Sequence, residues 1–192
     1  MEALGRLVPE DDLDLEEMAL LVPLGSVVKH YCPSQAVSRL MKIGAGDELE
    51  DAALRLCEIC TDLRIPTSDL GITDSMLFCA HTVGYSDIDF IIYGRKNYAA
   101  LIDYLRNAIG SHGIRFPSVD EWTAYQRMSG ARDLSLSDRC YGLHKARKLD
   151  QGFINNHRFS LFCVRNEGEL ESYVWQPRKE IGEIAFSGVV ID

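Results

Sequence analysis

Two neighbouring stretches decide how this chain reads: Gly71-Ile72-Thr73-Asp74-Ser75-Met76-Leu77-Phe78 and Ser86-Asp87-Ile88-Asp89-Phe90-Ile91-Ile92-Tyr93-Gly94. The first predicts a short strand over Asp69–Thr73 and a helical turn over Ser75–Ala80. The second, rich in Ile, Phe and Tyr, predicts a strand over Ser86–Tyr93. Residues two apart on a strand share a face, so Asp87 and Asp89 project together while Ile88 and Phe90 point away. Paired carboxylates repel each other, and strands disfavour Asp. A hard divalent cation relieves that repulsion, and magnesium takes one or two carboxylates while leaving its other positions to water and phosphate oxygens. Ser75 opens a turn after a strand, where its hydroxyl and the nearby amides can meet an anionic phosphate. Alone, an Asp-x-Asp is an ordinary solvated strand end; joined to the serine turn, it outlines a cradle for a metal-bound polyphosphate.

Outward from this segment the pattern alternates. Pro33 followed by Gln35, Ala36, Leu40 and Met41 predicts a helix stopped at Gly44. Asp47–Arg64 carries Leu49, Ala52, Ala53, Leu56, Cys60 and Leu63 at helical spacing, and Ile65-Pro66-Thr67 ends it. Asn97–Ile109 is strongly periodic. Ser118 and Glu121 form a capping box for a helix closed by Gly130, and a further helix covers residues 136–147. Phe159–Val164 and Ile184–Ile191 read as later strands, the last of which needs an earlier strand or a continuation of the architecture to pair with. The expected fold is α/β (α+β): a small mixed sheet with packed helices. Residues 1–64 form an acidic arm and helices packed on the core, an N-terminal appendage to a domain over 65–192.

The chain has 192 residues, 46% hydrophobic and 26% charged, which excludes wholesale disorder. Its longest apolar run, Met18–Leu24, falls far short of the ~20 residues of a membrane span. An N-terminus carrying Glu2, Glu10, Asp11, Asp12, Asp14, Glu16 and Glu17 is the opposite of a secretory leader. The expectation is a cytoplasmic protein with no membrane partner. A net charge of −9 opposes diffuse binding to a nucleic-acid backbone, though it leaves room for a local basic site. The six cysteines read as reduced, buried thiols. Cys57-x-x-Cys60 falls on a helical core stripe without a second ligand pair, so core packing outweighs a metal or redox role.

The apolar-Gly, serine-turn and Asp-apolar-Asp-apolar elements within 71–97 resemble the signature of the DNA polymerase β-like nucleotidyltransferase superfamily. More narrowly they are similar to the uncharacterised archaeal predicted nucleotidyltransferases, a likeness to which Val22-Pro23-Leu24-Gly25 and His144–Gly152 add weakly. The resemblance implies a nucleotidyltransferase-like sheet fold and a metal-dependent activity that transfers a nucleoside monophosphate from a nucleoside triphosphate to an acceptor hydroxyl. Carried over by residue, Asp87 and Asp89 would be the catalytic metal ligands for Mg2+ (or Mn2+), and Ser75 would bind phosphate.

Two departures matter. Asp74 stands where that family has glycine, which adds bulk and negative charge beside the phosphate, although Asp tolerates a left-handed backbone; Asp74 itself is a candidate ligand. The family also expects a third carboxylate on a later strand, and the alternation of Arg158–Val164 puts Ser160 there, with Glu169 and Glu171 the nearest acids downstream. Lys145, Arg147, Lys148 and Arg158 form a basic run that meets phosphates of a nucleotide or an RNA end, or else a solvated face. His81 lies between the motifs and is either structural or turned to the cleft. Trp122 and Tyr125 read as core. The alternative function is a catalytically impaired module on the same fold that binds a nucleotide or a partner. An RNA or a protein is the expected acceptor.

Overall fold

The computed structural model describes residues 24–108, 112–129 and 137–170. The acidic arm, Val22-Pro23, Gly130, Glu171 and the expected strand Ile184–Ile191 lie outside the described residues. After a 3-10 turn at Leu24–Ser26, helix α1 (Pro33–Ile43) starts on proline and ends at Gly44, whose φ of +85° suits a residue without a side chain. Helix α2 (Glu48–Asp62) is capped by Asp47, which accepts from the Glu50 amide at 2.9 Å. Its stripe of Leu49, Ala52, Ala53, Leu56, Cys57, Ile59 and Cys60 is wholly buried.

The next elements are strand β1 (Leu70–Ile72), the short helix α3 (Asp74–Leu77), strand β2 (Ile88–Tyr93) and helix α4 (Arg95–Asn107). Strand β3 (Ile114–Arg115) precedes helices α5 (Val119–Ser129) and α6 (Asp138–Lys148), which pack together as a hairpin. Strands β4 (Gln151–Ile154) and β5 (His157–Val164) and the short helix α7 (Glu167–Leu170) follow. The strands form one mixed sheet in the order β1-β2-β5-β4-β3, in which β2 and β5 run parallel and every other pair is antiparallel. This is a mixed α and β architecture of the expected kind. Sequence reading finds β2, β5 and the main helices and misses β3 and β4: a two-residue strand and the polar-flanked Gln151-Gly152-Phe153-Ile154 have no periodicity of their own. The capping box is present, with Ser118 and Glu121 exchanging backbone-to-side-chain bonds at 2.8 and 3.2 Å.

Burial along β2 alternates. Ile88, Phe90 and Ile92 are fully buried, whereas Asp89, Ile91 and Tyr93 are half-exposed on the other face. The core holds these residues together with Leu70, Ile72, Phe159 and Leu161 of the sheet, Leu101 and Leu105 of α4, and the stripes of α1 and α2. Helices from the first 64 residues and the sheet thus share one apolar cluster. Two glycines allow close approach. A Cβ on Gly71 would stand 2.8 Å from that of Pro33, where α1 lies on β1, and one on Gly142 would meet Val119 and Thr123 at the α5–α6 contact.

The cysteines divide. Cys57 and Cys60 are buried, and burial pushes the Cys57 thiol up to about 12 and raises Cys60 as well, which fits packing. Cys79, Cys140 and Cys163 are exposed and Cys32 is partly so, correcting the expectation that all are buried: each sits at a turn, a helix start or a strand end, where the chain leaves the core. No helix among the described residues is long and apolar enough to cross a membrane.

Candidate functional site

The antiparallel pairing of β1 with β2 carries the Ser75 turn to the acidic strand. After the register pair Ile72–Phe90, the Thr73 amide donates to the Asp89 carbonyl at 3.0 Å, so α3 begins directly beside Asp89. Asp74 takes φ +54°, the left-handed conformation that glycine adopts freely and that Asp tolerates among the L residues. Helix α3 is four residues long, shorter than the Ser75–Ala80 turn read from sequence, although the Ala80 amide still donates to the Ser75 carbonyl at 2.9 Å. Ser75 is half-buried. Arg39 of α1 holds the end of the turn, donating to the Cys79 sulfur at 2.7 Å and the Met76 carbonyl at 3.4 Å.

Asp87 precedes the first residue of β2, and Asp89 lies within the strand. The parallel register sets Asp89 beside Ser160 of β5, and two residues earlier on each strand Asp87 meets Arg158. Arg158 donates from Nη2 and Nε to the same Asp87 oxygen, Oδ2, at 2.5 and 3.1 Å, and its Nη1 donates to the Tyr125 hydroxyl at 2.6 Å. Burial, the Asp87 charge, and the hydrogen bond and charge of Asp74 push Asp89 up to about 6, against the opposing pull of Arg158. Three carboxyls therefore converge, one already paired with a guanidinium and one inclined to keep its proton.

Ser160 is buried at the place sequence alternation assigns it, and its hydroxyl accepts from Gln151 Nε2 at 3.3 Å. Gln151 Oε1 in turn accepts from the Lys145 ammonium at 2.9 Å. Lys145 is half-buried, about 6 Å from the Trp122 and Tyr141 rings, and burial lowers its pKa. Lys148 instead pairs with Asp150 at 2.8 Å. Of the two lysines read as phosphate ligands, Lys145 is thus joined by hydrogen bonds to the residue beside Asp89, and Lys148 is held on the neighbouring turn.

The remaining candidates fall elsewhere. The His81 ring meets Asp47, the cap of α2, at 2.8 Å, and so ties the loop between α3 and β2 to that helix. Glu169 accepts from the Arg95 amide at 2.9 Å, beyond the far ends of β2 and β5. At ~3.3 Å per strand residue this is well over 10 Å along the sheet from Asp89, so Glu169 is not the missing third acid. Trp122 is buried as read, but Tyr125 is largely exposed and reaches Arg158 across the cleft wall. Sequence reading placed Arg158 only in a general basic run. Its spacing of two from Ser160 was the signal that put it on the acidic face, and the parallel pairing made it the partner of Asp87.

The donor set can be tested against the ion that the resemblance implies. Among the described residues, no group of three or more His, Cys, Asp or Glu side chains is arranged to hold a metal by itself. Two carboxylates would suit at most one hard cation, which would take the rest of its ligands from water and phosphate. With Ser160 rather than an acid beside Asp89, β5 offers no carboxylate to a second ion.

No family model matches the chain, and no solved structure matches it. It is similar to "Uncharacterized protein MJ1086" of Methanocaldococcus jannaschii, 26% identical over 180 residues that take in 87% of this chain and 52% of the relative. The chain thus spans about half the length of that relative.

Proposed function

We propose that the face bearing Asp87 and Asp89 binds a nucleoside triphosphate with one Mg2+ or Mn2+ and transfers its nucleoside monophosphate to an acceptor hydroxyl, on an RNA or a protein, in the cytoplasm, with pyrophosphate as the leaving group and the hydroxyl proton passing to solvent. The observation that supports this reading is the junction of the Ser75 turn with Asp89 through the Thr73 amide, which brings that turn against the acidic strand. The ion would supply charge neutralisation at the phosphoryl oxygens. Asp87 and Asp89 hold the ion, Ser75 and the backbone of its turn orient the phosphates, and Lys145 adds positive charge from the β4–β5 side. Asp89 must lose its proton to act as a ligand, a change that a nearby cation favours.

A second reading is favoured by one specific observation. Ser160 occupies the register position beside Asp89, and a serine hydroxyl neither binds a cation strongly nor accepts a proton near neutral pH. On this reading the fold binds the nucleotide and turns it over slowly or not at all. Incubation with labelled nucleoside triphosphates, magnesium or manganese, and a panel of RNA and protein acceptors separates the two. Label transfer supports the first; saturable, chelator-sensitive binding without transfer supports the second. Neither binding nor transfer overturns both.

A further inference from the structure

We propose that Arg158 is a competing cation at Asp87: in the ion-free protein its guanidinium occupies the carboxylate that a divalent ion would use, and with ion and triphosphate present it serves the phosphates instead. This rests on the reading of Asp87 as an ion ligand.

Four observations carry it. Both donors from Arg158 converge on one oxygen, Oδ2, at 2.5 and 3.1 Å, so the pair is a tight, charge-assisted one. A cation approaching Asp87 meets a carboxylate that is already neutralised, and must offset that loss. The pair is also accessible, with side chains about a third exposed, on the wall of a cleft of about 300 Å³ that Tyr85, Ser86 and Asn156 also line. The guanidinium is held at a second point as well, since Nη1 donates to the Tyr125 hydroxyl at 2.6 Å and its carbon lies 5.7 Å from the ring centroid. Tyr125 rests edge-on against the buried Trp122, so this hold is on a fixed part of α5. An arginine released from Asp87 would remain tethered beside the cleft. Finally, Arg158 and Ser160 share the face of β5 that borders Asp89, so the guanidinium stands on the side where the expected third acid is absent. A planar guanidinium fork suits phosphate oxygens as well as it suits a carboxylate, whereas a lysine at this position would present a single point charge.

The competition predicts effects of opposite sign on two ligands. Arg158→Gln is expected to bind Mn2+ about tenfold more tightly in the absence of nucleotide, because a charge-assisted bond to Asp87 no longer has to be broken. The same variant is expected to bind tripolyphosphate with Mg2+ about tenfold more weakly. Arg158→Lys, which keeps the charge and loses the fork, is expected to shift both in the same directions by a smaller factor, and carries the test if the glutamine variant does not fold. Mn2+ affinity is read by electron paramagnetic resonance and tripolyphosphate affinity by calorimetry, with circular dichroism as the check on folding. Unchanged or weakened Mn2+ binding in folded Arg158 variants overturns the competition and makes Arg158 a structural partner of Asp87. The ion site itself is tested by Asp89→Asn in the wild-type background. Loss of Mn2+ binding there sustains the ion reading even where the competition fails, and wild-type and Arg158→Gln proteins that both take no Mn2+ overturn the two together.

Discussion

Ser160 lies directly beside Asp89, the two being register partners across the parallel strands β2 and β5, and Ser160 is 4% exposed. A carboxylate at position 160 would be buried next to Asp89 and near Asp87 and, with Asp74, would make four acids around one guanidinium. Ser160→Asp is therefore expected to cost about 2–3 kcal/mol of stability without a divalent ion, the order of an uncompensated buried charge. Added Mg2+ should recover most of that loss, and should raise turnover further in the double variant with Asp74→Gly. Thermal melts with and without Mg2+ check the first point, and labelled-nucleotide assays check the second. A variant that melts identically in both conditions places position 160 outside the ion's reach.

Asp89 introduces a pH dependence of a particular sign. Its pKa is pushed up to about 6 in the folded chain, above its value in an unfolded one, so the folded state holds the extra proton between the two values. The stability this contributes is present below the unfolded pKa and is lost as pH rises through about 6. Because Asp89 is half-exposed, solvent screening limits the effect to on the order of 1 kcal/mol. Removing one of its causes with Asp74→Gly should lower the Asp89 pKa and relieve the left-handed backbone at position 74, which costs about 1 kcal/mol in most L residues. Carboxyl chemical shifts followed through a pH titration of both proteins measure the change. An Asp89 that titrates alike in the two removes Asp74 from its neighbourhood.

Lys145 and Lys148, alike in the sequence, are expected to behave differently. Lys145→Ala should weaken Mg2+-dependent triphosphate binding by about tenfold, the loss of one charge-assisted contact. Lys148→Ala takes the partner from Asp150, a carboxylate only 13% exposed, and should change binding little while lowering stability by about 1–3 kcal/mol. Calorimetry on the two variants decides it, and equal losses would mean that the whole end of α6 meets the ligand.

His81→Ala is expected to lower stability by about 1 kcal/mol, since it deletes the hydrogen bond to the α2 cap, and to leave triphosphate affinity unchanged. Urea unfolding and calorimetry on the same preparation test both halves. Weakened binding without destabilisation would return His81 to the cleft.

How far the sequence carries this protein is visible residue by residue. Alternation places Asp89 and Ser160 on one face of the sheet and Ile88, Phe90 and Phe159 on the other, because a side chain's face follows from a two-residue period that needs no knowledge of the neighbours. The helices announce themselves in the same way, through the stripe of α2 and the Ser118–Glu121 box. The left-handed turn at Asp74 was also legible, as a residue type that tolerates positive φ standing where glycine is expected.

Partners were not legible. That Arg158 takes Asp87, that His81 takes Asp47, and that Lys145 reaches Ser160 through Gln151 depend on pairings across 71, 34 and at most 15 residues of chain. The same holds for Glu169, an acid close to β5 in sequence that the strand carries to the opposite end of the sheet. Local periodicity determined which face Asp89, Arg158 and Ser160 take. Only the parallel registration of β5 on β2, a long-range choice made by burying both strands in one core, decided that Arg158 stands by Asp87 and Ser160 by Asp89.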